Sequence, residues 1–478
     1  MEIQEIQYKN RGLILINIVL LTFMACLDSS IVNVALPVMA DYFSVGMNSI
    51  SAVVSTYLIA ISATVLIFGR LGDIKGTVKI FKIGIVVFTA GSLLCAISNS
   101  LELLVVSRII QAVGAAAYMA TNQGIVTRVF PANERGKALG ITGSFVALGT
   151  LVGPPLGGFI VDAASWEYIF LINIPIGIFA FVMGLKVLPR DEESKKARFD
   201  IKGAGLFLLF IISLFAALLS GEQLGFANPA ILAGFALAIA AFILFIRVES
   251  REESPLLQLS IFKNRLFSLS ILCGFLLFVS MNCSNIILPF YFQDVIKLTP
   301  SATGLYMMTY PLVLVVVAPL SGHISDKIGS ELLTFVGLMI FSLGFFLMAT
   351  VTGSFHPVKL IMIIAVMALG NGMFQSPNNS LIMSSVPRNR VGVAGSINAL
   401  VRNLGMVVGV SLSTLMLYGV MSSKLGYTVT TFVSGRESEF TFAMSVTYLC
   451  AGSLSLLAAV LTAVRLINRK KAARLEKA

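Results

Sequence analysis

The sequence predicts an all-α membrane protein with fourteen transmembrane helices: two six-helix bundles with two extra linker helices between them. Three observations predict it: apolar runs long enough to cross a bilayer, a one-sided distribution of basic residues, and an internal repeat. The 478 residues are 57% hydrophobic and only 12% charged, with a mean hydropathy of +0.93. A soluble chain of this size needs far more polar surface. Apolar runs of about 20 residues, the length that spans a bilayer as a helix, recur along the whole chain. Their centres lie near Leu21, Ile59, Phe88, Val113, Ala147, Ile176, Phe210, Leu237, Phe278, Leu312, Met339, Val366, Val410 and Leu456. The first run is too long for a secretory signal, carries Asp28 and lacks a clean small-residue cleavage site.

An even number of spans puts both ends on one side, and the basic residues decide which. Of the 34 Lys and Arg, 28 fall in segments on the side of the termini. Four (Lys297, Lys359, Lys424, Arg436) fall in opposite loops, and Arg108 and Arg402 lie within spans. That asymmetry predicts cytoplasmic termini in a cell membrane. The net charge of +11 is then a topology signal and a lipid-headgroup contact, not a nucleic-acid footprint. The basic tail after about residue 467 reads as a solvated anchor at the membrane surface.

Little in the chain points to an enzyme. The five cysteines, Cys26, Cys95, Cys273, Cys283 and Cys450, fall in spans without a CxxC pair and read as small apolar packers. His323 and His356 sit at span ends and form no ligand cluster, so no metal is expected. No nucleotide-binding motif is present. The expected energy source is a proton gradient, with no cofactor.

The repeat appears in three places, in order. "GRLGDIKG" at 69–76 returns as "GHISDKIG" at 322–329, an offset of 253. "VALP" ending at Pro37 returns as "IILP" ending at Pro289, and "VFPANERGKALG" at 129–140 as "SVPRNRVGVAG" at 385–395. Paired halves around a site near the bilayer midplane are a common architecture of secondary transporters. The expected divisions are a first bundle at 1–189, charged linkers and two extra helices at 190–265, a second bundle at 266–466, and the tail at 467–478.

These stretches and several others resemble the major facilitator superfamily, in its 14-span drug:proton antiporter branch. "LDSSIVNVALP" resembles the first-helix motif of that branch, "GRLGDIKGTVK" the loop motif between helices 2 and 3, and "RIIQAVGAAA" the helix 4 motif. "GTLVGPPLGGFI" resembles the antiporter motif of helix 5, "SWEYIFLINIPIG" the start of helix 6 and "LPFYFQDV" the end of helix 9. The chain departs from the family at Gly76-Thr77-Val78, where basic residues are usual. The resemblance implies the major facilitator fold, alternating access, and a helix 4 arginine associated with proton coupling.

The residues themselves carry a parallel reading. Asp28 lies about 16 residues, or ~24 Å, from the near end of its helix; Arg108, entering from the opposite side, lies ~10 Å deep. The two therefore reach similar depth. An ionisable group there costs several kcal/mol unless paired or hydrated, so both are expected to face a water-filled central cavity, close to one another. Asn33, Gln111, Asn282, Asn285, Gln375 and Asn378 are the further candidates for proton coupling and substrate contact; amides in membranes also serve as glue between helices. Gly69, Asp73, Gly76, Arg135 and Asp326 are candidates for a cytoplasmic gate, in which Gly69 permits close helix approach and Asp73 pairs with Arg135. Gly149, Gly153 and Gly157 share one helix face, which lets a neighbouring backbone approach. Pro154 removes a helix hydrogen bond beside them, and Gly158 completes the motif. In the family this motif goes with antiport.

The expected activity is proton-coupled export of amphipathic small molecules such as drugs or antiseptics. The alternative is an uptake or metabolite carrier, for bile acids or peptides, on the same fold. Asp28 is the one deep acid, so monocationic, zwitterionic or neutral substrates are expected over dications. Expected partners are the substrate, protons and membrane lipid; the chain is expected to be monomeric, with an adaptor protein possible and no nucleic acid.

Overall fold

The computed structural model describes residues 10–191, 199–225, 227–252, 255–351, 356–387 and 391–475. Among the described residues there is no strand, and fourteen helices are long and apolar enough to cross a membrane. They are α1 (Arg11–Phe43), α2 (Met47–Lys75), α3 (Thr77–Ala96), α4 (Leu101–Val129), α5 (Gly140–Ala163), α6 (Tyr168–Val187) and α7 (Ile201–Gly221). The remainder are α8 (Pro229–Glu249), α9 (Arg265–Val295), α10 (Pro300–Ser325), α11 (Ser330–Met348), α12 (Pro357–Ser384), α13 (Val393–Leu425) and α14 (Glu437–Ile467). All fourteen centres read from hydropathy fall inside these helices. The protein is a multi-pass helical membrane protein.

Local chemistry sets many of the helix starts. Ser100, Asp200, Asn228, Asn264 and Thr299 each accept a backbone N–H of the first turn of α4, α7, α8, α9 and α10. Such caps satisfy donors that a helix leaves orphaned. Pro229 and Pro300 occupy first-turn positions, where the missing N–H costs nothing.

The chain divides into two compact units, Met1–Met39 with Ala52–Gln258, and Ala40–Ser51 with Leu259–Ala478. The extra helices α7 and α8, which the sequence reading sets apart as a linker segment, belong to the first unit. There α8 packs on α7, and α7 on α2. Large apolar side chains of α8, among them Leu237 and Ile239, remain exposed; in a membrane such surface meets lipid. We expect cysteines at Phe210 and Leu237, in a background lacking the native five, to resist a water-soluble thiol reagent with or without substrate. Strong labelling that substrate suppresses would place the pair on the transport pathway instead.

The internal repeat is present in the packing of each unit. In the first, a Cβ on Gly84 of α3 would lie 2.7 Å from Tyr118 N and 2.8 Å from Gly114 O of α4. In the second, a Cβ on Gly337 of α11 would lie 2.7 Å from Phe374 N and 2.8 Å from Gly370 O of α12. Small residues let both helix pairs close to backbone contact. Gly76 and Gly329, paired by the repeat, adopt φ of +105° and +93° at equivalent turns, a conformation that favours glycine.

Candidate functional site

Five helices of the first unit bring polar side chains to one buried point. Asp28 comes from α1, Arg108 and Gln111 from successive turns of α4, Asn173 from α6, Ser92 from α3 and Tyr57 from α2. Arg108 Nη1 donates to Asp28 Oδ2 at 2.7 Å and to Gln111 Oε1 at 2.5 Å. Asp28 Oδ1 accepts from Gln111 Nε2 at 2.9 Å and from Asn173 Nδ2 at 2.8 Å. Gln111 Nε2 also donates to Ser92 Oγ at 2.8 Å, and Arg108 Nε donates to the Val53 carbonyl at 3.3 Å. The guanidinium carbon lies 3.9 Å from the Tyr57 ring centroid and 5.6 Å from that of Phe170, within reach of cation–π attraction.

The depth argument is met: the acid and the base, on different helices, form an ion pair. The expectation that both face water is not. The side chains of Arg108 and Asp28 are 1% and 0% exposed, so the cluster is closed in this conformation. The reason lies in the ligand set: both carboxylate oxygens and the guanidinium are solvated by protein dipoles instead of by water. Such a pair is tolerated in an apolar interior only with its hydrogen bonds made, and losing one partner leaves an uncompensated charge. Sequence reasoning missed Asn173, Ser92 and Tyr57. Asn173 was the most legible of them, a lone amide in the apolar stretch "FLINIPIG".

The helix 5 glycines do lie on one close-packed face, against α1. A Cβ on Gly149 would lie 2.6 Å from Phe23 O, one on Gly157 2.6 Å from Ile31 Cγ1, and one on Gly153 would collide with Ser30 Oγ. Ser30 Oγ donates to Gly149 O at 3.3 Å. Pro154 and Gly158 are buried in the same helix.

The loop between α2 and α3 differs from expectation in detail. A Cβ on Gly69 would sit 4.0 Å from Ala120 Cβ, an ordinary contact, so Gly69 is not the point of close approach. That point is Gly72, where a Cβ would meet Thr121 Cγ2 at 2.8 Å. Asp73 is exposed. The side chains of Arg135 and Asp326 lie outside the described residues. The group seated on Gly76 is Asp191, from the linker after α6. Its Oδ1 accepts from Val78 N at 2.9 Å and its Oδ2 from Lys79 N at 2.8 Å. A carboxylate there caps α3 and meets the positive end of the helix dipole. Arg128 Nη1 lies 3.6 Å from Asp191 Oδ1. Sequence reasoning missed this residue because its partners are 112 and 113 positions away.

In the second unit the amides divide between packing and an open cleft. Asn282 Nδ2 donates to Met406 O at 2.7 Å and Asn378 Nδ2 to Ser270 O at 3.1 Å, tying α9 to α13 and α12 to α9. Gln375 is half-buried. Asn285 lines a small cleft together with Met281, Met307, Tyr310, Ile364 and Met367. In the first unit Asn33 is half-buried, and its Oδ1 has no hydrogen-bond partner among the described residues. No cluster of metal-ligating side chains is found among the described residues.

Comparison with known proteins agrees with this architecture. Residues 18–410 match the family described as Major Facilitator Superfamily. The chain is 37% identical over 460 residues to the riboflavin transporter RibZ of Clostridioides difficile (strain 630), covering 95% of this chain and 97% of that protein. It is 27% identical over 428 residues to the multidrug transporter protein MdtP of Bacillus subtilis (strain 168), covering 89% and 78%. Among solved structures, a POT family transporter in complex with a thioalcohol-conjugated peptide superposes with a TM-score of 0.72 at 17% identity, covering 98% and 99%. A D-xylose-proton symporter superposes with a TM-score of 0.67 at 14% identity, covering 95% and 97%. A buried intramembrane ion pair, glycine-packed helices repeated in two units and the match across most of its length all lead to one assignment: the chain is a small-molecule transporter of the major facilitator superfamily.

Proposed function

We propose that this transporter exports amphipathic small molecules across the cell membrane by proton-coupled alternating access, with both termini in the cytoplasm. The observation that carries this reading is the Asp28–Arg108 pair, held by Gln111 and Asn173 in the interior of the first unit. Ionisable groups inside a membrane mark proton and substrate pathways by default. A proton on Asp28 neutralises the acid and leaves Arg108 charged without its counter-ion. That arrangement is costly in an apolar interior, so protonation favours a conformation in which Arg108 finds other partners or water. A ligand or proton shifts a conformational equilibrium only by its differential affinity for the two states, and this pair supplies that difference. The helix 5 glycines and similarity to a named multidrug transporter support export as the direction.

A second reading is specific uptake of a flavin. Its support is the 37% identity, over nearly all of both chains, to a protein named as a riboflavin transporter.

Everted membrane vesicles distinguish the two. Export predicts that an acid-inside gradient drives accumulation of ethidium or acridone, and that a protonophore abolishes it. Gradient-independent uptake of riboflavin into intact cells, without dye accumulation in the vesicles, would replace export with the second reading.

A further inference from the structure

Two carboxylates meet at the joined ends of the extra helices, on elements that contribute nothing to the Asp28–Arg108 cluster. Asp200 is the N-cap of α7, and Glu249 is the last residue of α8. Asp200 is 8% exposed and Glu249 4%. A Cβ on Gly203 would collide with Asp200 Oδ2 and would lie 2.6 Å from Glu249 Oε1. The two oxygens therefore border one small space, which the absent side chain of Gly203 leaves free.

The hydrogen bonds around this space leave one atom over. Asp200 Oδ1 accepts from Gly203 N at 2.8 Å. Glu249 Oε2 accepts from Leu257 N at 3.0 Å, and its Oε1 accepts from Leu256 N at 3.3 Å. Asp200 Oδ2 is buried with no hydrogen-bond partner among the described residues. No base stands nearby to balance the two acids. The charges that act on Glu249 are Asp200 and, on the linker after α8, Glu252, both acidic. Lys202 of α7 and Arg247 of α8 are exposed. On α2, which packs on α7, the charged residues are Arg70, Asp73 and Lys75. Among the described residues neither Asp200 nor Glu249 forms an ion pair.

Two carboxylates that share a buried site do not readily both ionise, and a buried acceptor without a donor is costly. A single proton on Glu249 Oε1 answers both costs. It neutralises one acid and supplies Asp200 Oδ2 with a donor. Oε1 carries the longer of the two bonds that Glu249 accepts, so a proton there displaces the least.

We propose that Asp200 and Glu249 share one proton, carried on Glu249 Oε1 and donated to Asp200 Oδ2, so that the ends of α7 and α8 form a second proton-binding site that controls the linker after α8. With the termini in the cytoplasm, as proposed above, the site exchanges its proton with cytoplasmic water. Glu249 holds the amides of Leu256 and Leu257 in place. When the proton leaves, two like charges remain buried side by side. Glu249 then turns out toward water, and both amides lose their acceptor. An alkaline cytoplasm thus loosens the linker that leads into α9.

Hydrogen exchange on the full-length protein in lipid nanodiscs, without substrate or gradient, tests this. Exchange in peptides covering Leu256 and Leu257 is divided by that in peptides covering Ala230, whose amide is capped by Asn228, a residue that does not titrate. The intrinsic pH dependence of exchange then cancels. The ratio is taken at about pH 6 and about pH 8.5, both above the ordinary carboxylate range. In the unmodified protein it should rise at least about tenfold between the two, as the linker opens locally. In Glu249→Gln the side-chain amide donates to Asp200 at either pH, and the ratio should stay level. Asp200→Asn still caps α7 and donates to Glu249, so the same level ratio is expected. A ratio that does not change with pH in the unmodified protein would overturn the proposal, whether or not the variants fold. So would a rise that persists undiminished in either folded variant. Exchange needs no transport, so this proposal and the export reading fail separately.

Discussion

Asp28→Asn is expected to abolish proton-driven transport, to below about one hundredth of the unmodified rate. In the structure Asp28 accepts from Arg108, Gln111 and Asn173. An amide offers one acceptor oxygen where there were two, and its NH₂ would face donors. It also leaves Arg108 buried without a counter-charge, which costs about 3–5 kcal/mol when one partner of such a pair is removed. The observed ligand set adds a second consequence, a clear loss of thermal stability in detergent. Combining it with Arg108→Gln removes both charges and should recover much of that stability while transport stays absent. The measurements are gradient-driven accumulation in everted vesicles and unfolding temperature for the single and double variants. Wild-type rates in Asp28→Asn under the same gradient would make the pair structural and place the proton carrier elsewhere.

Gly153→Leu is expected to stall transport by at least tenfold through packing and not through loss of a ligand. Even a methyl group at Gly153 collides with Ser30 Oγ, and overpacking of this kind typically costs about 1–3 kcal/mol. The collision is with the stretch of α1 that carries Asp28, so a displaced α1 also disturbs the ion pair. Gly153→Ala should show the same defect more mildly, and Ser30→Gly added to Gly153→Ala should restore activity by removing the group it strikes. Initial transport rates and substrate affinity, measured together, separate the cases: rate should fall while binding survives in part. Full activity in Gly153→Leu would show that α1 and α5 do not need this contact during the cycle.

The legible features were those encoded locally. Hydropathy located every span because a bilayer demands about 20 apolar residues in sequence, whatever their partners. Glycines spaced one helical turn apart announced a close-packed face of α5, since helix geometry alone puts them there. The "GDIKG" and "SDKIG" turns announced the repeat, and both of their final glycines hold positive φ. The rank of the amides was not legible. Asn282 and Asn378 bond backbone carbonyls across helices, whereas Asn285 lines a cleft, and nothing within "SMNCSN" separates Asn282 from Asn285.

The amino-acid sequence by itself determined the number and order of helices, the repeat of two units, the family, and the depth of Asp28 and Arg108. Each of these depends on distances along one helix or on similarity at a fixed offset. Only the tertiary structure decided that the pair is closed from water, that Asn173 completes it across 145 residues, and that Asp191 occupies the turn at Gly76. Those properties arise where side chains from several helices meet, and the solvation of a buried group is set by all of its neighbours at once.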